Sequence, residues 1–290
     1  MVTLADASER ERVRAMGEQL GIAQPVDANG RLAQVNSTCV FLTPNNLCSI
    51  HATFGLDAKP AVCKQYPLIA TRVGDTVRVG IDPGCYTHAM SWQTGPAIQT
   101  ANLMASVVKL SESETVFEER ILDILTTKGL TLAKLATLLT GEQPPPGQLP
   151  PGFVGRCITA ASQDELRQAV IHPDTAPFFR ENLVAILDHT RTLHPADPPP
   201  WPALDPQGEA YALDALSRLV YLRLAHQIPA VAGVIALGTM GVILSAWAAG
   251  DRPAFGRYTA AWFRAMRSPA FWGKLLSTAQ SLKILLHGPN

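Results

Sequence analysis

The chain has 290 residues, enough for a sizeable core and one or two domains, and its 24 basic residues balance 24 acidic ones. That balance, with 7% aromatics and no basic–aromatic interleaving, argues against a nucleic-acid-binding protein. Five cysteines cannot all pair as disulfides, and Met1–Gly21 is charged with no apolar stretch of a secretion signal, so the chain is expected in the reducing cytoplasm.

Residues 4–20 predict an exposed helix carrying Glu9, Arg10, Glu11, Arg12 and Arg14 on a solvated face, ended by Gly21 and Pro25. Asp27–Asn36 is polar and reads as a loop or weak strand. Four of the five cysteines then fall within one stretch, as Cys39, Cys48, Cys63 and Cys85. Thiols gathered in this way, without a secretion signal, are more often metal ligands than disulfides. The spacing lacks the CxxC pair of common zinc fingers.

The spacers predict small supports for those thiols. Thr43-Pro44-Asn45-Asn46 is turn chemistry, so a reversal brings Cys39 and Cys48 together. Ser49–Phe54 suits one or two helical turns stopped by Gly55. Pro60 suits the first position of a short helix limited by Pro67, which puts Cys63 in its first turn. Helix position and Lys64 together predict a lowered Cys63 pKa. Leu68–Val73 and Thr76–Ile81 flank Gly74-Asp75 and predict a β-hairpin with a Gly-first turn. Asp82-Pro83-Gly84 is a further turn that delivers Cys85.

The run Cys39, Phe41-Leu42, Cys48, Ile50-His51, Phe54-Gly55, Lys59-Pro60, Cys63, Pro67 and Cys85 resembles the zinc- or iron-chelating cysteine-cluster family, whose named relatives include flagellin lysine N-methylases. The resemblance covers roughly residues 37–96. It implies a bound metal or iron–sulfur centre on Cys39, Cys48, Cys63 and Cys85. It also implies protein-lysine methylation with S-adenosylmethionine, flagellin being one such protein substrate. Family members usually carry an upstream CxxxCxxCC knot, and residues 1–38 hold no cysteine. Either that half has been lost or the start has been placed too far downstream. Four thiolates suffice for one Cys₄ zinc site or one [4Fe–4S] cluster.

Beyond Cys85 the chain reads as helical: Ala97–Leu110, a helix opened by a Ser111/Glu114 capping box with Gly129 at its far end, and a short one capped by Thr131. Glu142–Gly152, with five prolines, predicts an extended linker. Ser162 is expected to cap a helix to Ile171, and Pro177–Leu193 forms the next. Pro195–Pro202 is a second break, and Gln207–His287 is helical with punctuation at Pro229, Gly250, Pro253 and Pro269. Ile228–Gly250 has no charged residue and the length of a bilayer span. Its Ala/Gly-rich composition and leading proline favour a buried core helix, and no membrane partner is expected.

His51 and His88 each follow a cysteine by three residues. They are expected to play a structural or supporting role, hydrogen-bonding a thiolate or shaping the site, rather than to ligate. Lys59, Lys64 and Tyr66 read as surface or cluster-supporting residues, and His172, His189, His194, His226 and His287 as scattered. Cys157, alone in GRCITAAS, reads as a small buried hydrophobe. The chain has no GxxxxGK[ST], HExxH or GxSxG motif, no Gly-rich strand-to-helix turn for a nucleotide-type cofactor, and no CxxxCxxC loop.

The expected fold is mostly α. An N-terminal helix (1–30) precedes a cysteine-cluster metal-binding module with a short β-hairpin (31–96). A helical segment (97–141), a proline-rich linker (142–152) and a helical domain (153–290) complete an all-helical body on which the module docks. The functional expectations are a metal- or iron–sulfur-binding protein with methyltransferase activity, or a non-enzymatic zinc- or iron-binding structural protein.

Overall fold

The structure is a computed structural model of the chain, describing residues 3–35, 38–45, 47–92, 103–145, 148–171, 177–201, 204–225, 228, 231–268, 271 and 273. It is mostly α-helical, with twelve α-helices and five short strands among those residues.

Helix α1 (Ala7–Gln19) starts where the Asp6 side chain accepts the Glu9 N–H at 2.8 Å. It stops in a Schellman turn, with Gly21 left-handed at φ +71 and Ile22 N–H bonded to Gly17 O at 2.8 Å. Strands β1 (Gln34–Val35) and β2 (Thr38–Cys39) pair antiparallel, and Leu42 bridges Cys48 beyond them. Helix α2 (Ser49–Phe54) ends at Gly55, φ +85, and a 3-10 turn over Leu56–Ala58 leads to α3 (Ala61–Gln65). Pro60 is the N-cap of α3 rather than its first residue, so it closes the turn without a capping side chain.

Strands β3 (Leu68–Val73) and β4 (Thr76–Ile81) form the expected hairpin, in register from Leu68–Ile81 to Val73–Thr76, about Gly74 at φ +56. Helix α4 (Tyr86–Ser91) follows Cys85. The helix expected over 97–110 is corrected where the chain is described, since 97–102 lie outside the described residues and Ala105–Val107 is strand β5. It pairs parallel with β3, giving the order β4-β3-β5. The free edge of β3 selects an extended partner, and the Gln65 side chain locks the approach by accepting Met104 N–H at 2.8 Å and donating to Met104 O at 3.0 Å.

The body comprises α5 (Glu112–Leu125), α6 (Leu132–Thr140), α7 (Pro151–Ala161), α8 (Asp164–Ile171), α9 (Pro177–Thr190), α10 (Pro206–Tyr221), α11 (Val231–Ala248) and α12 (Arg252–Ala265). Ser111 caps α5 as expected, but the Glu114 carboxylate does not return to it. It accepts Val231 N–H at 2.9 Å, covering a donor at the start of α11. The proline-rich stretch reaches only to Pro150, and Pro151 and Gly152 already belong to α7. Glu142 ties this stretch down by binding Gly152 N–H at 3.0 Å and Arg156 at 2.6 Å. Ser162 closes α7 instead of opening α8.

One apolar core runs through the body from Ala89 to Phe271, and α11 lies at its centre. That helix is the only one among the described residues long and apolar enough to cross a membrane, and 83% of it is buried inside the protein. A second, smaller core joins Leu4, Val13 and Met16 of the N-terminal segment to Leu32, Phe41 and Ile50. Helix α1 therefore helps to enclose the segment that carries the first three cysteines.

Candidate metal centre

Cys39, at the end of β2, has the Phe41 N–H beside its sulfur. The next turn is closed by Thr43, whose N–H bonds Leu47 O at 2.9 Å and whose hydroxyl accepts Leu47 N–H at 3.2 Å. This reversal sets Cys48 at the N-cap of α2, and Ser49 fastens it by donating from N–H and hydroxyl to Phe41 O at 2.8 and 3.0 Å. Cys63 is the third residue of α3. All three cysteines are half-buried and pack against the small N-terminal core.

They pack on the same small core, and the charges of neighbouring thiols bear on Cys39 and Cys63. Burial pushes the Cys63 thiol up to about 11, and the charge of Cys39 adds to the shift, as do those of Cys48 and Glu9, while Lys59 opposes it. Burial also raises Cys39, against the Phe41 N–H and with Cys48 adding. The lowered Cys63 pKa expected from its helix position is thus corrected. Five residues of helix give little dipole, burial disfavours the thiolate, and Lys64 is exposed, reaching Asp57 O at 3.4 Å.

Cys85 stands elsewhere. It is buried at the N-cap of α4, beside the Tyr66 hydroxyl. Burial raises the Tyr66 hydroxyl above its ordinary range, against the charge of Arg264, whose guanidinium lies 5.4 Å over the ring. The turn before Cys85 is anchored on α12. Asp82, fully buried, accepts Gly84 N–H at 2.7 Å, Arg264 at 2.9 Å and both terminal nitrogens of Arg267. His51 is exposed, and His88 is buried beside Tyr211, ring centroids 6.4 Å apart. Cys157 is wholly buried in α7, where burial drives its thiol far up.

The donor type of Cys39, Cys48 and Cys63 suits a thiophilic metal: three soft sulfurs on short elements that pack on one small core, with burial resisting ionisation at Cys39 and Cys63. A cation removes that resistance, and metal binding then releases protons. The triad is not closed into a coordination sphere, and among the described residues no group of three or more His, Cys, Asp or Glu side chains is arranged to hold an ion. The buried turn that carries Cys85 sets it beside Tyr66, away from the small core on which the other three pack.

Glu9 is the residue near the triad that sequence reasoning assigned to a solvated face. It is 8% exposed, and its carboxylate binds the N–H groups of Ala5 and Ala61, each at 2.7 Å. The Asp6/Glu9 spacing, that of a capping box, was the available signal.

No family model, curated protein or solved structure matches this chain.

Proposed function

We propose that this is a thiolate metal-binding protein of the cysteine-cluster kind, with a zinc or iron–sulfur centre built on Cys39, Cys48 and Cys63. The observation that carries this reading is their convergence: three cysteines from three separate elements pack on one small core. The centre serves as a staple. Six buried hydrophobic residues make a small core, and a unit of that size gains much from a metal. A structural zinc site is worth on the order of 10 kcal/mol, comparable to a domain's whole stability. The fourth position belongs to an external ligand or to Cys85 after release from Tyr66. Methyl transfer from S-adenosylmethionine rests on the sequence resemblance alone, so the geometry favours the staple. All five cysteines are unpaired, which suits a reducing cytoplasm.

Metal and sulfide analysis with a visible spectrum after anaerobic purification tests the reading and separates zinc from an iron–sulfur cluster. Serine at Cys39, Cys48 or Cys63 is expected to strip the metal and render the N-terminal unit protease-sensitive, while Cys85→Ser retains it. Metal-free wild-type protein overturns the proposal. Equal loss in Cys85→Ser replaces the triad with a four-thiolate site.

A further inference from the structure

We propose that Glu9 is the positioning residue of the cysteine centre: its carboxylate, planted on α1, sets the start of α3 and with it the Cys63 thiol. The inference deepens the thiolate-centre reading and rests on it insofar as Cys63 is a ligand.

The first turn of any helix leaves backbone N–H groups without partners, and a capping side chain normally takes one of them. The N-cap of α3 is Pro60, which offers no such side chain. Glu9 supplies it from 52 residues away, with Oε1 accepting the Ala61 N–H at 2.7 Å. Its other oxygen, Oε2, accepts the Ala5 N–H at 2.7 Å, so the carboxylate bridges the entry of α1 to the entry of α3. Arg12, one turn along α1, completes the clamp. It lies 3.5 Å from Glu9 Oε1 and donates to Ala58 O at 2.6 Å, in the turn just before Pro60.

Helix α3 has only five residues and little stability of its own. Cys63 lies two residues past Ala61, so the direction of its Cβ follows from how that first turn is held. A carboxylate that is 8% exposed and accepts two backbone N–H bonds is a costly group to bury, and its place is explained by what it fixes.

Two full-length variants test this from opposite sides of one hydrogen bond. Glu9→Ala removes the acceptor. Ala61→Pro removes the donor while leaving a residue that suits the first helical position, and Pro60, at ψ 146, is already in the backbone region that precedes proline comfortably. The first readout needs no metal: iodoacetamide alkylation of Cys63, followed by mass spectrometry with buried Cys157 as internal reference. Both variants should alkylate severalfold faster at Cys63 alone. The second readout is cobalt(II) titration, followed by sulfur-to-cobalt absorption. Affinity should fall roughly tenfold or more, with weaker thiolate absorption, as for residues that orient metal ligands. The double variant should be no worse than either single one, because both remove one contact.

Unchanged Cys63 reactivity with an unchanged cobalt spectrum in both variants overturns the proposal. Wild-type protein that binds no cobalt overturns the centre, and the alkylation arm still decides whether Glu9 places the thiol. If Glu9→Ala fails to fold, Ala61→Pro carries the decision.

Discussion

Arg223 and Glu118 form a buried fork, Nε to Oε2 at 2.6 Å and Nη2 to Oε1 at 2.9 Å, with the arginine backbone held left-handed at φ +50. Leu224 N–H bonds Leu219 O at 3.1 Å and Arg223 N–H bonds Val220 O at 3.0 Å, so Arg223 occupies the position of a Schellman turn where glycine is usual. The backbone cost is about 1–2 kcal/mol. It is offset by a guanidinium placed where α10 ends, facing the one carboxylate of α5 that also receives Arg78 from β4 at 2.8 Å. This ion triad joins the hairpin to the body. Glu118→Ala should leave the buried Arg223 guanidinium without its carboxylate and lower stability by roughly 3–5 kcal/mol. Arg223→Gly should cost less, since glycine relaxes the turn and Arg78 remains on Glu118. Thermal melts of the two variants check the order.

Asp82 makes the second lock, and it carries a pH dependence. Burial alone would raise its carboxyl, but Arg267 and Arg264, with the Gly84 N–H, outweigh that and hold it below the usual carboxylate range. A folded pKa below the unfolded one contributes stability that is present above the unfolded value, about 4. The contribution is lost as pH falls through the lower folded value. Asp82→Asn should therefore flatten the acid limb of the stability profile below about pH 4 and cost roughly 2–3 kcal/mol at neutral pH. Urea melts across pH 3–7 give the comparison; parallel profiles would show that Asp82 is not the group that titrates.

Gly241 and Gly250 should respond oppositely to alanine. A Cβ at Gly241 would lie 2.0 Å from Trp262 Cδ1, against an indole whose N–H donates to Leu237 O at 2.9 Å. Gly241→Ala should cost about 1–3 kcal/mol or more by overpacking α11 on α12. At Gly250 nothing lies within 4 Å of the added carbon, and Gly250→Ala should be neutral or stabilising by up to about 1 kcal/mol. Equal melting temperatures for the two variants would contradict the packing of this helix pair.

Cys157→Ser should leave metal content unchanged and lower stability by about 1–3 kcal/mol, the cost of a buried hydroxyl without a partner. Metal analysis beside a denaturant melt separates the two effects. Loss of metal in this variant would bring the helical body into the site.

Short-range chemistry was legible in the chain. Gly21, Gly55 and Gly141 end helices as their type predicts, Ser111 and Thr131 cap α5 and α6, and Gly74 turns the hairpin. Where long-range partners compete, local signals mislead. Ala105–Val107 follows the edge of β3, Glu114 leaves its own cap for Val231, and Ser162 serves the helix before it. Helix α7, with Phe153, Val154, Cys157 and Ile158 buried, was hidden by the prolines that precede it.

The sequence by itself determined that the chain is mostly helical, that an uncharged stretch forms a buried central helix, and that Cys39 and Cys48 approach across a turn. Each of these depends on hydrophobic pattern or on residues a few positions apart, where covalent geometry limits the choices. Only the tertiary structure decided that Cys63 packs on the same small core as that pair while Cys85 lies beside Tyr66, and that Glu9 is buried against the start of α3 instead of lying in solvent. Those outcomes depend on contacts between segments tens of residues apart. They are set by which buried polar groups must find partners once the two cores have closed, a balance that no local spacing records.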